Sequence, residues 1–225
     1  MYVIIAGGGA LGRELAEALI ARRHDVVVID RDKHTCEAIY SQLGAVTVLG
    51  DATDLHVLQD AGAERASLLV TVMPNDADNI ACTLLARTLG VERIIARLRD
   101  NAYAAAYEAA GADHLIRTTH LLRNQVVLYI EHPVVNEIVM IGDDAAQVFS
   151  VGIPPTAWCI GRSAASIAAE RKFPEGCLLI GIRRKGVREL VIPRGETRIR
   201  TGDTVLVIAG NADIDRAVAV LTRKG

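Results

Sequence analysis

Aromatic side chains are scarce in this sequence: one Trp, two Phe and five Tyr make up 4% of its 225 residues. Because proteins that bind single-stranded nucleic acids commonly stack bases on aromatic rings, this scarcity argues against such ligands. The basic residues are spread over predicted strands and turns, so no predicted helix carries the basic stripe of a DNA-binding protein. We therefore expect no nucleic acid polymer among the partners.

Cysteines are few, and long apolar runs are missing. Cys36, Cys82, Cys159 and Cys177 show no Cys-x-x-Cys spacing and lie among apolar or helical neighbours, as expected for buried side chains in a reducing compartment. No apolar run approaches the roughly 20 residues that a membrane-spanning helix requires. These absences predict a cytoplasmic protein that would reach a membrane only through a partner.

Signatures of common enzymes are also missing. The sequence contains no Gly-x-x-x-x-Gly-Lys-Ser/Thr run, which excludes a P-loop ATPase. All six histidines lie within residues 24–132, and no Tyr is followed four residues later by Lys, so few groups suit acid-base catalysis. Asp76 and Asp78 are typical of the first turn of a helix rather than of a metal site. We assign no catalytic residue and no metal ligand.

The most informative segment that is present runs from Tyr2 to Asp30. An apolar run is followed by Gly7-Gly8-Gly9-Ala10-Leu11-Gly12, a helical pattern, a second apolar run and Asp30. In such a strand, turn and helix, Gly7 permits the tight turn, Gly9 lets the backbone approach a phosphate, and Gly12 allows close helix packing. The helix N-terminus attracts the phosphate, and Asp30 can accept hydrogen bonds from ribose hydroxyls. This pattern predicts a nucleotide site, with a glycine turn that binds nothing as the alternative.

After Asp30, predicted helices alternate with short apolar strands as far as residue 117. Continuous apolar strands that alternate with helices indicate a parallel sheet buried on both faces. We count six such strands, and therefore predict an α/β, Rossmann-like, doubly wound domain over residues 1–117. Ligands of such sheets bind at the carboxyl ends of the strands.

The pattern changes in the second half of the sequence. Residues 118–131 form a predicted helix with more apolar side chains than one face can hold, so it should pack against its own sheet or another subunit. Pro133 and Gly142-Asp143-Asp144 indicate a linker, and the helix and linker together span residues 118–144. Residues 145–225 then predict a small α+β module. Residues 1–144 contain 12 Lys and Arg against 20 Asp and Glu, whereas residues 145–225 contain 13 against 7, which supports two modules.

Several segments together resemble the regulator-of-K⁺-conductance family, which includes the TrkA- and KtrA-type subunits of bacterial potassium uptake systems. The resemblance rests on the glycine turn with Asp30, on the runs 50–53, 95–101 and 111–113, and on 161–163, 191–193 and 201–207 in the second module. It covers nearly the whole chain. It implies a cytosolic nucleotide-sensing subunit, not an enzyme, with a nucleotide-binding N-terminal domain and the C-terminal module of that family.

The resemblance also implies a ligand, a set of site residues and partners. The ligand would be NAD(H), or alternatively ATP, ADP or AMP. The implied site residues are Gly7, Gly8, Gly9, Ala10, Leu11 and Gly12 at the phosphates, Asp30 and Arg31 near the ribose, Asp51 and Ala52 beside the adenine, Thr71, Val72 and Met73 on the other side, and Arg97 near the phosphates or the second half of the nucleotide. The partners would be a membrane K⁺-translocating subunit of the TrkH or KtrB kind and further copies of the chain, as dimers in a tetrameric or octameric ring. The protein would lie at the inner face of the cell membrane.

Two positions depart from particular members of the family. KtrA-type members carry an arginine inside the glycine turn, where this sequence has Ala10, so the turn is closer to the NAD-binding TrkA type. Some members carry His-Pro-Glu as a cation site before the helix at 118, where this sequence reads Arg117-Thr118-Thr119. A NAD-dependent oxidoreductase of unknown substrate remains the alternative function.

Overall fold

We describe a computed structural model of the chain for residues 1–131, 133–141 and 146–225. The chain divides into two compact units, Met1–Leu122 and Arg123–Gly225. Within the described residues, the helices all fall short of the length and apolar character needed to cross a bilayer.

The first unit alternates strands and helices along the chain. Its elements are β1 (Tyr2–Ala6), α1 (Ala10–Ala21), β2 (Asp25–Asp30), α2 (Lys33–Leu43), β3 (Val46–Leu49), α3 (Leu55–Asp60), β4 (Leu68–Thr71), α4 (Asp76–Thr88), β5 (Ile94–Leu98), α5 (Ala104–Ala110) and β6 (His114–Arg117). The six strands form one parallel sheet in the order β3-β2-β1-β4-β5-β6. The predicted Rossmann-like fold is therefore confirmed.

Helices cover both faces of this sheet, as the apolar strands require. Alternate residues of β1 pack on opposite sides: Ile4 belongs to a core with Leu58 and Cys82, whereas Ile5 belongs to a core with Ala16 and Ile39. Burial on both faces explains why β1, β2 and β4 read as continuous apolar runs.

The order of the strands reverses beside β1, which pairs with β2 on one side and β4 on the other. At such a switch point, the connections from two neighbouring strands leave toward opposite faces, and a crevice opens at the carboxyl ends. The turn after β1 begins with Gly7, and β2 ends at Asp30. The fold therefore brings the predicted phosphate-binding turn and the predicted ribose carboxylate to the same edge of the sheet.

The helix α6 (Thr118–Glu131) begins in the first unit and ends in the second. The second unit then contains β7 (Val135–Ile141), β8 (Ala146–Gly152), α7 (Ala164–Ala168), β9 (Leu178–Arg183), β10 (Leu190–Val191), β11 (Thr204–Ala209) and α8 (Ile214–Thr222). Its strands form a sheet in the order β10-β9-β11-β8-β7, in which every neighbouring pair is antiparallel. The core of this unit contains Phe149, Ile182, Val205 and Leu221. The predicted second module of the α+β class is confirmed.

The linker predicted over 118–144 contains a strand that the sequence analysis did not expect. β7 pairs with β8 along its length and lies at the edge of the second sheet. Pro133 and Gly142 suggested a break in structure, although Ile138-Val139-Met140-Ile141 between them is an apolar run. The predicted boundary residues 142–144 lie outside the described residues.

Candidate functional site

A cavity of about 650 Å³ opens at the carboxyl ends of the strands of the first unit. Most of the predicted site residues line it together: Gly7, Gly9, Ala10, Leu11, Gly12, Asp30, Arg31, Ala52, Val72, Met73 and Arg97. These residues come from five separate segments of the chain, so the fold and not the local sequence assembles them.

The glycine turn takes its shape from close backbone packing. Gly7 has a φ of 111°, a conformation that favours glycine, and its N–H donates to the Ile29 carbonyl at 2.9 Å. A Cβ at Gly12 would overlap the carbonyl oxygen of Gly7, whereas a Cβ at Gly9 would meet nothing within 4 Å. Gly7 and Gly12 are thus required by the fold, and Gly9 leaves open space in the cavity.

The N-terminus of α1 faces this turn without a side chain over it. Gly9 is the residue that precedes the helix, and no side chain caps its first N–H groups. Such N–H groups carry a partial positive charge and bind phosphate oxygens when one is near. The turn therefore presents backbone donors to the cavity.

Asp30 lies opposite the turn and is hydrogen bonded to it. Its Oδ2 atom accepts from the Gly8 N–H at 2.6 Å, and its Oδ1 atom accepts from the Asp32 N–H at 2.9 Å. Gly8 does not line the cavity, because it faces α2: a Cβ there would lie 2.8 Å from Thr35 and 2.9 Å from Ile39. Gly8 positions the Asp30 carboxylate and does not itself face a ligand.

Arg31 and Asp51 form a charged rim beside this carboxylate. Arg31 contacts Asp51 Oδ2 at 3.4 Å and Asp78 Oδ2 at 3.3 Å. Asp51 also accepts hydrogen bonds from the backbone and hydroxyl of Thr53, which, with a contribution from Arg31, hold its pKa below the usual value against the effect of burial. Asp51 does not line the cavity, although its neighbours Gly50 and Ala52 do.

The opposite wall follows β4 and β5. Val72 and Met73 line the cavity, but Thr71 does not, because its side chain is completely buried within the sheet. Arg97 lines the cavity, and its Nε atom donates to the Thr118 hydroxyl at 3.4 Å. The carbonyl of Arg97 accepts from the Tyr107 hydroxyl at 2.9 Å, which fixes the end of β5.

Sequence reasoning missed six residues that line the cavity: Ile29, Gly50, Pro74, Thr118, Leu121 and Leu122. The first three adjoin predicted site residues, so proximity along the chain was their available signal. Leu121 and Leu122 belong to the apolar helix α6, and nothing in their local pattern indicates a nucleotide site. Both side chains are partly exposed, at 47% and 62%, and both line this cavity.

The cavity offers groups suited to binding. Asp30 is the only carboxylate among its described lining residues, and none of those residues is His, Cys, Tyr or Lys. Within the part of the chain that the structure describes, no three His, Cys, Asp or Glu side chains are grouped so that they could hold a metal ion. Backbone donors, one carboxylate and two arginines suit recognition of a phosphate and a ribose.

Two family models match separate parts of the chain. The TrkA-N domain model matches residues 3–118, and the TrkA-C domain model matches residues 148–222. A Trk system potassium uptake protein TrkA homolog of Methanothermobacter thermautotrophicus is 26% identical over 99% of this chain and 100% of its own length. A homolog of Archaeoglobus fulgidus is 29% identical over 96% of this chain. The chain spans about half the length of this and several other relatives that it matches.

The GsuK channel is similar in structure. Its NAD-bound form aligns with 100% of this chain and 40% of its own, with a TM-score of 0.68 and 21% identity, which is a likeness of fold. Its ADP-bound form is 30% identical over 59% of this chain and 34% of its own, with a TM-score of 0.51.

Proposed function

The chain belongs to the family defined by the TrkA-N and TrkA-C domains, and from that premise we propose that it is a nucleotide-sensing subunit that gates a membrane potassium uptake system. The regulator-of-K⁺-conductance resemblance is confirmed by this membership. The family has a regulatory role in potassium transport and is not a family of enzymes. The identity of the ligand, the gating and the assembly are our proposals.

One observation carries the nucleotide proposal: the glycine turn, the open N-terminus of α1 and Asp30 surround a single cavity. A phosphate at the turn would accept hydrogen bonds from backbone N–H groups. A ribose at Asp30 would donate its hydroxyls to a carboxylate that the Gly8 N–H already holds in place. The NAD-bound and ADP-bound forms of GsuK support the choice of ligand class.

We propose NAD(H) as the ligand, with ATP, ADP and AMP as the alternatives. Asp30 disfavours a 2′-phosphate, because two negative charges would meet, but it does not separate NAD from an adenine nucleotide with free ribose hydroxyls. Ala10 supplies no charge for a terminal phosphate. Arg97 stands at the far side of the cavity, where it would meet the phosphates or the second half of a dinucleotide.

We propose that the helix α6 transmits nucleotide binding from the cavity to other subunits. Thr118, Leu121 and Leu122 line the cavity, so a bound nucleotide would touch the start of this helix. Leu122, Val126 and Ile130 recur every four residues and are 62%, 54% and 73% exposed, which forms an apolar stripe along one side. A nucleotide that binds the protein more tightly in one arrangement of α6 would shift the population of molecules toward that arrangement. A shift from about 1:99 to 99:1 requires about 5.5 kcal/mol of differential binding free energy in total.

The same proposal includes the assembly and the location. Copies of the chain would pair through α6 into dimers and then into a tetrameric or octameric ring. The ring would lie in the cytoplasm against the membrane K⁺-translocating subunit. We propose 1–117 as the nucleotide-binding domain, 118–144 as the crossover helix and linker, and 145–225 as the C-terminal domain.

Calorimetric titration with NAD⁺, NADH, ATP, ADP and AMP tests the ligand assignment, with Asp30→Ala as the matched variant. We expect at least one nucleotide to bind and its affinity to fall in the variant, because the ribose loses its acceptor. Unchanged affinities in Asp30→Ala would reject the ribose assignment. Nucleotide-dependent K⁺ flux through the reconstituted membrane partner would support the sensor, whereas steady hydride turnover on a metabolite panel would support the oxidoreductase.

Light scattering tests the role of the apolar stripe. Val126→Asp introduces a charge in the middle of the stripe and away from the cavity, so we expect a smaller assembly. Asn124→Asp is the control, because it adds the same charge about 200° around the helix. An unchanged mass for Val126→Asp, or an equal loss in both variants, would reject assembly through this stripe.

A further inference from the structure

A buried amide side chain holds the wall of the cavity without lining it. Asn79 lies near the start of α4, and its side chain is completely buried. Its Oδ1 atom accepts from the Met73 N–H at 3.0 Å, and its Nδ2 atom donates to the Met73 carbonyl at 3.1 Å. One side chain therefore satisfies both polar backbone groups of one residue in the loop after β4.

Met73 in turn packs directly on the glycine turn. A Cβ at Gly7 would lie 3.1 Å from the Met73 nitrogen and 3.2 Å from the Val72 carbonyl carbon. The Val72 N–H donates to the Ala6 carbonyl at 2.9 Å, so the two loops are also joined by a hydrogen bond. A shift of the Met73 backbone toward the turn would press on Gly7, whose carbonyl leaves no room for a side chain at position 12.

Packing alone does not explain an asparagine at position 79. The same buried face of α4 carries Cys82 and Ala86, which belong to an apolar core. Asparagine is a weak helix former, and a buried amide is costly unless its polar atoms are paired. The buried Asn79 is therefore best explained by its two hydrogen bonds to the Met73 backbone.

We infer that Asn79 is a positioning residue for the nucleotide site, which acts through Met73 on the shape of the glycine turn. The inference rests on the proposed function. Asn79 itself would not touch the ligand, since it does not line the cavity. Without its amide, the Met73 backbone loses both partners, and the turn loses the surface that holds Gly7 in its left-handed conformation.

Asn79→Ala and Thr83→Val form a matched pair for the test. Thr83 is equally buried one turn later on α4, and its hydroxyl donates to the Asn79 carbonyl at 2.8 Å, whereas the side chain of Asn79 bonds the Met73 backbone. Urea unfolding would first identify conditions in which wild type and both variants are folded. Titration with ADP and with NAD⁺ under those conditions should show about a tenfold or greater loss of affinity in Asn79→Ala and little change in Thr83→Val.

Hydrogen exchange supplies a readout that a general loss of stability would not produce. We expect faster exchange in Asn79→Ala to concentrate at Met73 and at residues 6–12, and not across the whole first unit. Should Asn79→Ala fail to fold, Asn79→Ser carries the same test with a smaller side chain that still offers a hydroxyl.

The outcomes separate this inference from the proposed function. Equal affinity in wild type and Asn79→Ala, or an equal loss in Thr83→Val, would overturn the positioning role. If wild type binds none of NAD⁺, NADH, ATP, ADP and AMP, the proposed function fails, and the exchange pattern alone still decides whether Asn79 holds the turn. Uniformly faster exchange would overturn the inference in that case.

Discussion

Gly9→Ala should separate what the ligand requires from what the fold requires. Gly9 has a φ of −60° and a ψ of −172°, which alanine adopts without strain, and a Cβ there would meet nothing within 4 Å. Replacing glycine with alanine reduces the conformational freedom of the unfolded chain, which stabilises the folded protein by about 0.4–1 kcal/mol. Alanine is a poorer residue before a helix, which costs a similar amount, up to about 1 kcal/mol. The two effects should nearly cancel.

Gly12→Ala gives the opposite expectation for stability. Its Cβ would overlap the Gly7 carbonyl oxygen and lie 3.0 Å from the Gly7 carbonyl carbon and 3.4 Å from Ile5. These are backbone and core atoms that cannot rotate away, so α1 must shift. Overpacking of this kind costs about 1–3 kcal/mol or more.

Urea unfolding and ADP titration on both variants check the reasoning. Gly9→Ala should unfold at the same urea concentration as wild type yet bind ADP about tenfold or more weakly, because its methyl group would occupy the position of a phosphate oxygen. Gly12→Ala should unfold at lower urea. If Gly9→Ala binds ADP as well as wild type, no phosphate approaches this residue. If Gly12→Ala is as stable as wild type, our account of the turn is wrong.

Three further predictions concern the surroundings of the cavity. Tyr107→Phe removes a buried hydroxyl that shares its proton between Asp76 Oδ1 and the Arg97 carbonyl, each at 2.9 Å, and should lower the free energy of unfolding, measured in urea, by about 1–3 kcal/mol. Burial raises the pKa of Asp113, but the Ile94 N–H and the Arg87 guanidinium outweigh it and hold that pKa below its usual value. The ionised Asp113 carboxylate therefore stabilises the fold fully above the unfolded pKa of about 3.9, and this stabilisation is lost as the pH falls through the lower folded pKa. The difference in free energy of unfolding between wild type and Asp113→Asn should shrink in acid, and a difference that stays constant with pH would contradict this. Asp78→Asn removes one ion pair of Arg31, which leaves the guanidinium freer to meet the 2′-phosphate of NADPH. The ratio of NADPH to NADH affinity should rise by less than about tenfold, since exposed ion pairs contribute only about 0–1 kcal/mol. An unchanged ratio would show that Arg31 does not reach the 2′ position.

The features that the sequence revealed are those with a local physical cause. Gly7, Gly12 and Asp30 appear in a short motif, because a turn, a close helix approach and a strand end each restrict the residue at one position. The parallel sheet was predictable because β1, β2 and β4 are buried on both faces and are therefore continuously apolar. The strand β7 was not recognised although Ile138-Val139-Met140-Ile141 is an apolar run, because Pro133 and Gly142 around it suggested a linker.

The parts of the site that the sequence did not reveal depend on how side chains are oriented. Thr71 lies next to Val72 in the chain, yet it is buried in the sheet while Val72 faces the cavity. Asp51 pairs with Arg31 and Thr53 instead of lining the cavity. Leu121 joins the site from a helix that follows the last strand of the sheet. These relations arise only when distant segments meet.

A crystal structure of the protein grown with excess NAD⁺ or ADP would test the central claim most directly. We predict that the nucleotide fills the cavity at the switch point, with a phosphate at the N-terminus of α1 and a ribose hydroxyl on the Asp30 carboxylate. A cavity closed by the protein's own side chains, or a nucleotide bound anywhere else, would contradict the account.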